Sequence, residues 1–318
     1  MGSIEPERAS ASLALRSSRK SLSQRAAFLD QLLQHCLNAL VLGGTYALLG
    51  IGLTLIFGIM RVVNFTHGEL YSFGAYMMYM FVMLLHLDFF LSLLLAMLLG
   101  IALGAAIEFL LLRKLRGADI DTTMLVMIGA WIAMQNLEQL LWSGVAKSIR
   151  TPFPSSPLVI GALSVSWNRL FVLAVALGLI MCTYALVNRT RLGRAMRATF
   201  QDPDTAALMG VDIGTIYMST FALGSGLAAA AGALLGPIFV VTPTMGDLAS
   251  LKAFAIVILG GLGNIVGATI GGFILAFIEE LGAGYISSGY RDAMGFLLII
   301  AILLVRPTGL FSRKERIG

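Results

Sequence analysis

The chain has 318 residues, of which 58% are hydrophobic and only 12% charged, about half the charged share of a soluble domain. Apolar runs long enough to cross a hydrocarbon core of about 30 Å recur along it, which excludes a soluble globular fold. The net charge of +5 does not point to nucleic acid, because the arginines fall in short loops and tails, where the positive-inside rule puts them.

Residues 1–30 carry Arg8, Arg16, Arg19, Lys20 and Arg25 and lack an apolar core followed by a small-residue cleavage site. That predicts a disordered cytoplasmic tail rather than a cleaved signal. Eight hydrophobic segments follow, at about 31–59, 68–86, 89–112, 121–142, 168–188, 216–241, 251–282 and 290–305. The expected fold is an all-α polytopic membrane protein, with a membrane domain over 31–306 and a short cytoplasmic tail at 307–318. Cys36 and Cys182 lie in apolar runs and read as small buried hydrophobes. Glu108 is expected to pair with Arg113. Glu138, Glu279 and Glu280, near outer helix ends, are expected to be solvated or to face a protein partner on that side.

The loops 113–120 and 189–215 are basic, as are both termini, so all four are placed inside. The connection 143–167, with Pro152, Pro154 and Pro157, suits the outside. Parity then requires 31–86 to begin inside and end outside, in one crossing or three. It also requires 251–282 to leave and return on the outer side. Both segments are therefore expected to be discontinuous. The first breaks near Gly43-Gly44 and again at "RVVNFTHGE" (61–69); the second breaks at "GGLGN" (260–264).

Glycine-broken segments in both halves of a membrane protein point to a transport path. Irregular backbone at that depth is tolerated only where it is buried in protein or lines a cavity. The candidate pathway residues are Asn64, Thr66, His67 and Glu69. An ionisable group there costs about 2.5–3.5 kcal/mol, and these four can partner one another and the freed backbone. Gly260, Gly261, Gly263, Gly267 and Gly271 supply the second break and a ridge for close helix packing.

In the 189–215 loop, Asp202 can cap a helix, Pro203 suits its first position and Gly210 its end. A short helix at about 203–209 results, either a plain connector or a docking helix for a soluble partner. The chain has no GxxxxGK[ST] phosphate cradle and no metal-ligand spacing.

"NALVLGGTYALLGIGLTLIFGIMRVVNFTHGELYSFGAYM", "LGRAMRATFQDPDTAALMGVDI", "FAIVILGGLGNIVGATIGGFILAFIEE" and "LLVRPTGLF" together resemble branched-chain amino acid ABC transporter permeases of the LivH type, in the hydrophobic amino acid uptake family. The resemblance runs from about residue 32 to 311. It implies a multi-pass permease subunit in a bacterial inner membrane, paired with a second related permease. Two cytoplasmic ATP-binding cassette subunits would use the ATP, so the chain itself needs no cofactor. A periplasmic binding protein would deliver the substrate. The resemblance makes 189–215 the ATPase-coupling loop, with Arg194, Arg197, Asp202, Pro203, Asp204, Ala206, Ala207 and Gly210 as its candidate residues. The importer "EAA…G" signature is degenerate here, with Thr205 in place of its Glu. Relatives in the same superfamily carry urea, short amides or other amino acids. A stand-alone secondary transporter and an intramembrane enzyme using His67 and Glu69 are the other classes considered.

Overall fold

The computed structural model describes residues 5–160 and 163–306; the expected tail at 307–318 lies outside them. Helix α1 (Glu5–Met60) is continuous, which corrects two expectations. Residues 5–30 are helical rather than disordered, because no glycine or proline interrupts the chain between Pro6 and Gly43. Gly43-Gly44 does not break the helix either. The pair packs against Phe273 and Ala176, an approach that needs the missing Cβ atoms.

The chain then breaks at 61–66 and resumes as α2 (His67–Tyr79), extended by a π turn at Met80–Leu84. Next come α3 (Phe89–Leu110), α4 (Ile120–Trp142), a hairpin of β1 (Leu158–Ile160) and β2 (Leu163–Val165), and α5 (Trp167–Arg189). Two short helices follow, α6 (Arg191–Gln201) and α7 (Pro203–Leu208). The second half holds α8 (Ile213–Leu235), α9 (Met245–Gly260), α10 (Ile265–Tyr285) and α11 (Arg291–Val305). Six described helices are long and apolar enough to cross a membrane, against the eight segments expected. At 13, 16 and 15 residues, α2, α9 and α11 rise only about 20–24 Å, short of a full hydrocarbon core.

Contacts between helix ends define two faces. On the hairpin face, Gln34 exchanges hydrogen bonds with the Ser164 backbone, and Arg169 of α5 donates to Asn38. A backbone bridge there joins Lys147, after α4, to Val241, after α8. On the α6–α7 face, Gly58 packs on Gly263 and Phe200, and Arg116 reaches both Glu108 and the Gly214 carbonyl. Glu108 thus pairs with Arg116, not Arg113.

Helix α1 therefore runs from the hairpin face to the α6–α7 face, and α8 runs the opposite way. The segment 31–86 makes two passages, the second of them broken, rather than one or three. The "GGLGN" turn lies on the α6–α7 face and joins α9 to α10 as a hairpin of helices. Helix α11 starts beside Glu280 and runs antiparallel to α10, so the start of α1 and the end of α11 emerge on opposite faces. Placing both termini on one side fails for a physical reason. Charge bias is a property summed over all loops, and packing decides where any single terminus emerges. The buried centre is α1 and α8, with α10 lying along α1 and α3 along α8.

Candidate functional site

The stretch 61–66 leaves the α6–α7 face and climbs back into the bundle. Arg61 makes the turn in the left-handed region, at φ 54°. Helix α2 then starts level with the middle of α1, where His67 Nε2 donates to the Leu49 carbonyl at 2.9 Å. In the second half, 236–244 drops inward from the hairpin face, and α9 starts at Met245. The two starts meet. The Gly68 N–H donates to Ser250 Oγ (3.0 Å), and that hydroxyl donates to the Phe65 carbonyl (3.1 Å). Ser250 of α9 thus satisfies a free amide in the first turn of α2.

The four candidate pathway residues are fully buried here, but they mostly bind neighbours rather than one another. Asn64 Oδ1 accepts from the Thr66 N–H (3.0 Å), and Thr66 Oγ1 donates to the Met127 carbonyl (3.1 Å). Glu69 Oε1 accepts from Trp131 Nε1 at 3.1 Å, and the same N–H reaches Asp247 Oδ1 at 3.2 Å. Gln135 Nε2 donates to Asp247 (2.9 Å), and Ser72 Oγ to Glu138 (2.5 Å). Helix α4 therefore turns Trp131, Gln135 and Glu138 inward, while Leu125, Ile132, Leu137, Leu140 and Leu141 face outward. A cleft of about 430 Å³, lined by Arg61, Val62, Val63, Arg116, Thr123 and Tyr217, opens onto the break from the α6–α7 face.

Sequence reading missed Asp247, Trp131, Gln135, Ser250 and the burial of Glu138. A signal was present. "VVNFTHGELYSFGA" (62–75) and "VVTPTMGDLASLKA" (240–253) share seven of fourteen positions, with Glu69 matched by Asp247. The matched segments approach from opposite faces, and α1, α3 of one half correspond to α8, α10 of the other. That is an inverted repeat of the kind that places transporter sites at its interface.

Glu279 and Glu280, expected to be solvated, are also buried. Lys252 Nζ meets Glu279 (2.8 Å), Asp292 (2.9 Å) and the Tyr46 hydroxyl (2.7 Å). Glu280 is held by Arg291 (2.6 Å), Asn38 and His35. Cys36 is half-buried and Cys182 exposed, not buried as expected.

The loop helix forms as its residues dictate. Asp202 caps α7, accepting from the N–H groups of Asp204 (3.0 Å) and Thr205 (3.2 Å). Gly210, at φ 87°, ends it. The Val211 N–H reaches back to the Ala206 carbonyl and the Gly210 N–H to that of Ala207, a Schellman closure. Ala206 is buried, and Leu208 and Met209 project outward. On α6, Arg194 is exposed and Arg197 donates to the Val187 carbonyl. Gly261 and Gly263, at φ 81° and 76°, make the second turn. Beyond it Gly267 lies against the Gly260 carbonyl and Gly271 against that of Ile256.

Crossed half-helices inside an inverted helical repeat define a membrane permease. The family profile described as the permease component of a branched-chain amino acid transport system matches residues 35–303, and the chain belongs to that family. It is 36% identical over 297 residues to the high-affinity branched-chain amino acid transport system permease protein BraD of Pseudomonas aeruginosa, covering 89% of this chain and 96% of that one. It is 34% identical, with the same coverage, to the corresponding protein LivH of Escherichia coli. A probable branched-chain amino acid transport permease of Methanocaldococcus jannaschii is 29% identical over 86% of this chain and 90% of its own. No solved structure matches the chain.

Proposed function

We propose that this chain is one membrane subunit of a bacterial ABC importer that passes branched-chain amino acids across the inner membrane. The observation that carries this reading is the meeting of α2 and α9 at mid-depth. There Asn64, Thr66, His67 and Glu69 gather beside Asp247, a polar crossing built where hydrocarbon tolerates none. The family and the names of the relatives support the substrate class. The α6–α7 face is cytoplasmic, since the loops 113–120 and 189–215 concentrate its arginines. The chain provides a path rather than a catalyst and carries no cofactor of its own. Two cytoplasmic ATPase subunits hydrolyse ATP, a second related permease completes the path, and a periplasmic binding protein delivers the substrate. The coupling element is α6–α7, with Leu208 and Met209 offered to the ATPase.

The test is uptake of radiolabelled leucine, isoleucine and valine into proteoliposomes holding the assembled importer. Uptake is expected to require ATP and the ATPase subunits. Ala206→Glu, which puts a charge on the buried side of α7, is expected to abolish coupling. Ion-gradient-driven uptake without the ATPases would instead make the chain a stand-alone secondary transporter. Preferred uptake of urea or short amides would move the substrate class.

A further inference from the structure

The carboxylates that are buried in the helical bundle, with the half-buried Asp247, fall into two groups. Glu108, Glu279 and Glu280 each face a cation, from Arg116, Lys252 and Arg291 respectively. Glu69, Glu138 and Asp247 face none among the described residues. Their hydrogen-bond partners are neutral donors: the Trp131 indole, the Gln135 amide and the Ser72 hydroxyl. Oε2 of Glu69 and Oε1 of Glu138 are buried without any partner. An independent group adds to the set. The Tyr76 hydroxyl is fully buried, has no partner, and lies in electrostatic reach of both glutamates.

The backbone and ring donors at this point are engaged, and the donors without a partner, Asn64 Nδ2 and the Tyr76 hydroxyl, are both neutral. The Thr66 and Gly68 N–H groups go to Asn64 and Ser250, and the His67 N–H goes to the α1 backbone at Leu49. The crossing thus holds three carboxyl groups and, among the described residues, no cationic donor facing them. A protein that pairs its other buried carboxylates with its own arginines and lysines leaves these three for a cation from elsewhere.

We propose that Glu69, Glu138 and Asp247 receive the ammonium group of the transported amino acid, so that the half-helix crossing reads the amino end of the substrate rather than its carboxylate. This rests on the importer reading above. The repeat supplies one carboxylate from each half, Glu69 and Asp247, and Trp131 spans both. Substrate arriving along either half meets the same chemistry.

Two measurements test it. In the assembled importer, the near-isosteric Glu69→Gln and Asp247→Asn variants keep the acceptor for Trp131 but lose the charge. Leucine uptake per copy in the membrane is expected to fall at least tenfold in each. Uptake equal to wild type would make the acids neutral structural groups and overturn the proposal. In the second measurement, tryptophan emission of the wild-type complex is compared with that of Trp131→Phe while ligand is titrated. The difference signal is expected to respond to 3-methylbutylamine and not to 4-methylpentanoate. A response to the acid alone, to neither compound, or equally to sodium chloride would overturn the proposal, and this arm does not depend on any glutamate variant folding. If the wild-type importer carries no branched-chain amino acid, the importer reading fails. If wild type transports and the variants transport equally, only the ammonium assignment fails.

Discussion

Lys252 sits where four helices meet, bonded to Glu279 of α10, Asp292 of α11 and Tyr46 of α1. Its removal would leave Glu279, 1% exposed, as an uncompensated charge inside the bundle. Lys252→Met is expected to destabilise the protein by about 3–5 kcal/mol, measured by thermal unfolding in detergent. Lys252→Met combined with Glu279→Leu is expected to recover most of that loss, because no lone charge remains buried. Individual residues were the least legible scale in the sequence. Glu138, Glu279 and Glu280 look solvated from their places near helix ends. Their burial depends on Ser72, Lys252 and Arg291, which lie on other helices and give no local signal. Glu69 could be singled out because it stands in a polar cluster between two apolar runs, but its partners Trp131 and Asp247 come from distant segments.

Elements were easier to read, and α7 the easiest, because an Asp-Pro start and a glycine end are encoded within nine residues. The carboxyl of Asp202 is held below the usual aspartate range, chiefly by the Thr205 hydroxyl and then by the Thr205 N–H. Asp212 repeats the arrangement with Thr215 at the start of α8. A depressed carboxyl stabilises the fold above its unfolded value, about 3.9, and that contribution is lost as pH falls through the lower folded value. Hydrogen exchange at the amides of residues 204–206 is therefore expected to stay slow from pH 7 to pH 5. It is expected to accelerate, relative to the intrinsic rate, only as the pH falls below about 4. In Asp202→Ala the amides should be unprotected throughout that range. The two breaks, at 61–66 and 261–264, were also legible, since a polar cluster and a pair of glycines interrupt otherwise apolar runs. Gly43-Gly44 misled because the same residue type serves close packing inside a helix.

At the scale of the molecule, the all-helical membrane class was plain from composition, whereas sidedness was not. A count of basic residues cannot see that α1 passes Ser164 and Arg169 on the hairpin face before descending to Gly58. Single cysteines placed at position 8 and at position 155 are expected to react with an impermeant maleimide from the same side of the membrane. A cysteine at position 208 should react only from the other. Labelling of positions 8 and 208 from one side would refute the observed course of α1. The inverted repeat escaped sequence reading because its halves match closely only over the crossing itself.

That repeat has a consequence for how the path is divided. Each half contributes one non-helical stretch that reaches only to the middle: 61–66 from one face, 236–244 from the other. On the proposed path, this chain's share of the barrier is the short interval where Ser250 joins Phe65 to Gly68 and Trp131 joins Glu69 to Asp247. Opening toward either side can proceed by moving one half against a stationary other half. Entry and release are then separately tunable, each written in a different half of the same gene.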